Sequence, residues 1–145
     1  MALYVAICLL AALIAVPDDA VSHVDTFKIV WGTTVGLAAA HWFAFRVSAR
    51  LVASGGIRRH DAEAAGAQIA GAAAVAVLAT VPIVVFSRSV ELEVVRYVLA
   101  IFIAVVGYAV ARAGGAAVVR SIAYAAAVLV IAALVAIAKN LLAGH

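Results

Sequence analysis

Residues 118–142 read "VVRSIAYAAAVLVIAALVAIAKNLL". Between Arg120 and Lys139 no residue is charged, and the apolar residues follow one another without alternation. A helix needs about 20 apolar residues to cross the roughly 30 Å of hydrocarbon in a bilayer. Lipid offers the backbone no hydrogen-bond partner, so only helices and closed barrels span it. Barrel strands alternate with period two, whereas this run is continuous, so it reads as a membrane helix.

Four more runs of the same kind lie upstream. They are "ALYVAICLLAALIAV" (2–16), "FKIVWGTTVGLAAAHWFAFRVSARLVA" (27–53), "AEAAGAQIAGAAAVAVLATVPIVVF" (62–86) and "VVRYVLAIFIAVVGYAVARA" (94–113). The first ends at Pro17 and is short for a span. It is read as retained, because it lacks a basic leader and a small-residue cleavage site. Asp25 or Thr26 is expected to cap the second helix and Asp61 the third. Gly55-Gly56 and Gly114-Gly115 mark breaks, and Pro82 falls near the end of its helix. The expected fold is all-α: a polytopic integral membrane bundle of five transmembrane helices in one domain, 1–145. The spans are placed at about 2–17, 27–50, 62–86, 92–113 and 117–141. Cleavage of the first run would leave four.

Composition agrees. The chain is 69% hydrophobic and 12% charged, against about 45–50% and about 25% in soluble domains. The Ala/Val/Arg-rich usage has the style of a GC-rich bacterial genome. Cys8 is alone, which removes disulfides, dithiol redox centres and paired-cysteine metal sites. The net charge of +3 is spread between apolar runs, so it concerns topology and not a nucleic acid. One set of loops and helix ends carries Arg46, Arg50, Arg58, Arg59, Arg112 and Arg120. The positive-inside rule places these at the cytoplasmic face, with the N-terminus inside and the C-terminus outside the cell membrane.

Apolar burial does not drive helices together in lipid; close backbone approach and interhelical hydrogen bonds do. Candidate packing residues follow the small-xxx-small pattern. They are Gly32, Gly36 and Ala40 on the second span and Ala62, Gly66, Ala70 and Ala74 on the third. Ser121/Ala125 and Ala132/Ala136 on the fifth follow it too.

The polar residues inside the runs are the candidate site. Thr34, His41 and Ser48 share one helical stripe, seven residues apart. The glycine groove lies on another face, which argues that the second span is the central helix. Gln68 is expected at the depth of His41, within hydrogen-bond reach. Tyr108 and Tyr124 approach the same side, so the expected site is an inner half-cavity. Histidine there is a charge switch near neutral pH or an interfacial anchor beside Trp42 and Arg46. The threonines are expected to bond their own backbone. His23 and Asp25 are weak metal candidates without a motif spacing.

No phosphate-binding loop, zinc helix or nucleophile elbow occurs, and all seven acids lie in loops or at helix ends. No cofactor is expected. Three functions remain open. One is an oligomeric channel or transporter-like pathway for a small ion or solute with a pH-sensitive histidine. Another is a non-catalytic accessory or scaffold subunit. The last is a small lipid-modifying enzyme using His41, Arg46, His60 and Asp61. The expected partners are membrane lipids and either copies of the chain or another membrane protein.

Overall fold

The computed structural model describes residues 1–16, 22–52 and 59–142. The described residues form five helices: α1 (Ala2–Ile14), α2 (His23–Val52), α3 (Arg59–Val85), α4 (Arg88–Ala113) and α5 (Val118–Leu142). Stretches of three of them, Glu63–Val85, Ser89–Ala113 and Val118–Val135, are long and apolar enough to cross a membrane. Lys28, His41 and Arg46 make α2 more polar, and α1 is shorter.

Local chemistry sets the helix ends. α2 starts earlier than expected, because Ser22 caps it: the Asp25 N–H donates to Ser22 Oγ (3.2 Å), and Ser22 Oγ donates to Asp25 Oδ2 (2.6 Å). Ser22 is thus the N-cap, and the carboxylate at the third helical position answers its hydroxyl and not its backbone N–H. Neither Asp25 nor Thr26 is the cap. The Ser22 hydroxyl, and then Lys28, hold the Asp25 carboxyl below its usual range. Its help to the first turn is therefore full above the ordinary carboxylate range and is lost as pH falls through the lowered value. α3 begins at Arg59, which puts Asp61 inside the first turn and not at the cap. α4 ends in a Schellman turn: Ala116 N–H donates to Ala111 O and Gly115 N–H to Arg112 O. Gly115 has φ +81° there, a conformation that only glycine adopts freely.

The centre of the bundle belongs to α1. It packs against each of the other four helices, whereas α2 and α5 form no packed pair. Val5, Ala6, Leu9 and Leu13 are fully buried, facing Val30, Val75, Leu99 and Ile103 in one continuous core. The expectation that α2 is central is thus corrected. α2 buries one edge, Thr26, Val30 and Thr34, and its other faces are open. α1 carries no charged residue at all, which suits a helix enclosed by four others.

α1 is also short. Thirteen residues make about 20 Å, whereas its neighbours of 25 to 30 residues make about 38–45 Å. Its C-terminal carbonyls therefore end within the bundle. Arg96 of α4 meets them, donating from Nε and Nη2 to Leu13 O (3.2 and 2.8 Å) and from Nη2 to Val16 O (2.9 Å). A guanidinium suits the negative end of a helix dipole and satisfies acceptors that would otherwise have no donor.

The close helix approaches fall on glycines other than the expected ones. A Cβ at Gly71 would lie 3.3 Å from the Ala2 Cβ, and one at Gly107 would lie 3.4 Å from the Ala125 Cα. Gly32, Gly36 and Gly66 have nothing within 4 Å of that position, and Ala40 and Ala70 are exposed. Within one chain these five are not packing residues. On α5 the small residues Ser121, Ala125 and Ala132 are buried as a stripe with Val128.

Candidate functional site

The shortness of α1 makes a niche at the end where the arginines collect. Its N-terminus stops at the level of Gly71 and His41, while α2 continues to Val52 and α3 starts at Arg59. A cavity of about 380 Å³ opens there, lined by Met1 and Tyr4 of α1 and by Leu37, Ala40 and His41 of α2. Ligand sites are commonly of this size, apolar with a few polar groups.

His41 answers Gln68 of α3: the ring Nε2 meets the Gln68 Oε1. With that oxygen as acceptor, the neutral ring carries its hydrogen on Nε2, and Nδ1 is left as an acceptor. Beyond His41 the helix enters an aromatic belt. The Arg46 guanidinium sits 5.1 Å from the centre of the Trp42 ring, and Trp42 approaches Phe45 at 6.2 Å. Tyr4 interacts with Cys8 one turn along α1.

The Thr34/His41/Ser48 stripe does not share one environment. Thr34 is 3% exposed, and its hydroxyl is spent on the Val30 carbonyl (2.7 Å). His41 and Ser48 are exposed. The stripe is continuous on the helix, but the central helix beside it ends. The same face of α2 is therefore core at Thr34 and open at His41. Nor does the structure bring Tyr108 and Tyr124 to the niche. Gly107 closes α4 directly on α5; Tyr108 is half-buried and Tyr124 exposed, and neither lines the cavity with His41.

Arg46, Arg112 and Arg120 are exposed at this end, and Arg112 also donates to Ala116 O (2.7 Å). Arg58 lies outside the described residues, and the side chains of Arg50 and Arg59 lie outside the described side chains.

Two further interactions join the helices. Trp31 Nε1 donates to Thr80 Oγ1 (3.0 Å), whose own hydrogen goes to Ala76 O (2.7 Å). This bond ties α2 to α3. At the other end of the bundle, Glu91 in the first turn of α4 is 2% exposed. It accepts from Thr26 Oγ1 (3.1 Å) and pairs with His23 Nδ1. The two metal candidates separate here. His23 turns to Glu91, while Asp25 pairs with Lys28 at 3.2 Å. Among the described residues no three metal-ligating side chains converge.

Comparison of the chain with protein-family models, with curated proteins and with solved structures returns no match.

Proposed function

We propose that this chain is a five-span membrane subunit that works in an assembly, either with its own copies or with a membrane partner. The arginine-rich end faces the cytoplasm, which puts the N-terminus inside and the C-terminus outside. α1 counts as the fifth span although it is short, since it packs on all four other helices and buries Val5, Leu9 and Leu13 among them. The observation that carries the assembly reading is the contrast among glycines. Gly71 and Gly107 are used for close approach within the chain, and Gly32, Gly36 and Gly66 present the same chemistry to open space. In lipid such faces are where another helix can pack closely.

Gly36→Leu is expected to shift the protein from oligomer to monomer in lipid nanodiscs by about tenfold in the association constant, a packing loss of about 1.4 kcal/mol. Thermal stability of the monomer should not change, because nothing lies near that position. Cross-linking and mass photometry read the first quantity and thermal unfolding the second. An unchanged oligomer distribution in Gly36→Leu argues against the assembly reading.

A second reading, a small-solute or ion pathway, is favoured by the exposed His41–Gln68 pair. Such a path would run between subunits, since the single-chain core is filled by Val5, Leu9, Leu13, Leu99 and Ile103. In liposomes, flux that differs between about pH 5.5 and about pH 7.5 and loses that difference in His41→Ala supports this reading. Absence of flux for small ions and solutes, together with a co-purifying partner, supports the scaffold alone. The lipid-enzyme reading draws no support: the side chains of His60 and Asp61 lie outside the described ones, and Arg46 lies over Trp42.

A further inference from the structure

We propose that the niche at His41 binds a neutral lipid with a free hydroxyl headgroup, diacylglycerol, taken from the surrounding bilayer. The first observation is the lining. Met1, Tyr4, Leu37, Ala40 and His41 enclose about 380 Å³ with one imidazole, one phenol and no Lys, Arg, Asp or Glu. The second is the opening. α2 packs on α3, α3 on α4 and α4 on α5, but α5 and α2 do not close the ring around α1. Tyr4, Cys8 and Ala12, about one turn apart on α1, are not buried, and Tyr4 is 55% exposed. A lipid tail can therefore lie along this uncharged face of α1 while its polar end sits in the niche.

The polar atoms select the headgroup. With Nε2 engaged by Gln68 Oε1, the neutral His41 ring offers Nδ1 as an acceptor, and the Gln68 amide keeps its N–H donors. The acceptor calls for a hydroxyl and the amide for a carbonyl. Diacylglycerol carries both on one glycerol, a free hydroxyl beside ester carbonyls. An ionised phosphate or carboxylate gives Nδ1 no hydrogen and brings a charge that the lining does not offset. Arg46 does not supply the cation. It lies nine residues beyond Leu37, two and a half turns and so on the opposite side of α2, with its guanidinium against Trp42.

The depth agrees. His41 precedes Arg46 by five residues, about 7.5 Å along the helix. Basic side chains at a membrane surface meet lipid phosphates, so the niche lies below the phosphate level. A lipid without a phosphate can sink its glycerol that far, whereas a phospholipid is held at the surface by its charge.

The test uses the full chain in phosphatidylcholine nanodiscs doped with a diacylglycerol that carries a photoactivatable diazirine near its glycerol. After illumination, peptide mass spectrometry should find adducts concentrated on Met1–Tyr4 and Leu37–His41, above the level on the outer face of α4 around Ile101, which is 62% exposed and reports bulk lipid. Unlabelled diacylglycerol should compete, and phosphatidic acid with the same chains should not. His41→Leu should raise the probe fraction needed for half-maximal labelling about tenfold, the loss of one hydrogen bond. Gln68→Leu, which removes the other polar partner, should shift it in the same direction. His41 is exposed, so its variant should keep the native thermal unfolding. Labelling of the niche no higher than around Ile101 would overturn the proposal. So would equal competition by phosphatidic acid, or labelling unchanged in both variants.

Discussion

Leu9→Ala is expected to destabilise the bundle by about 2–5 kcal/mol, the range for deleting a fully buried leucine from a close-packed core. Leu9 is 0% exposed at the middle of α1. Its neighbours belong to helices held apart by their own lengths and turns, so the space cannot collapse freely. In lipid the penalty is one of dispersion attraction, which the lining of a void forfeits outright. The control is Ile101→Ala on the outer face of α4, where the side chain is 62% exposed and the change should stay within about 0.5 kcal/mol. Unfolding in mixed micelles, followed by circular dichroism against denaturing detergent, measures both. Equal effects of the two substitutions would remove α1 from the centre.

Arg96→Met should cost about 3 kcal/mol. Hydrogen bonds to charged groups are worth about 1.5–3 kcal/mol, and an unsatisfied buried acceptor carries its own penalty. The substitution deletes three such bonds to Leu13 O and Val16 O while keeping a flexible apolar stem of similar reach. Arg96→Lys keeps the charge but replaces a forked donor with a point donor, so it should fall between the two. The same unfolding assay reads the loss. An Arg96→Met protein as stable as the native chain would mean that water or backbone rearrangement satisfies the end of α1.

The helical class and the helix positions were legible because continuous apolar runs broken by glycine pairs leave few alternatives. The arrangement was less so, for physical reasons. α3 is apolar on every side, so any i, i+4 set of small residues looks like a groove. The set in use, Ala65, Ala72, Val75, Ala76, Ala79 and Ile83, is not the one that Gly66 and Ala70 mark. The pairing of His41 with Gln68 could be anticipated from depth, since α2 and α3 run antiparallel from adjoining ends. The environment of Thr34 could not, because it depends on how far α1 reaches, and α1 follows a path unrelated to the periodicity of α2. Glu91 looked like one acid in a polar link. Only the tertiary approach of α2 buries it, and no local pattern announces that.

The thirteen-residue helix has a consequence for biogenesis. It is made before every helix that encloses it, yet it is too short to dwell stably in a bilayer by itself, and α5, one of its walls, is made after α2, α3 and α4. A nascent chain must therefore shelter α1, at the translocon or against α2 and α3, until α4 and α5 arrive. Maturation of this protein is a closing of walls around a pillar already in place.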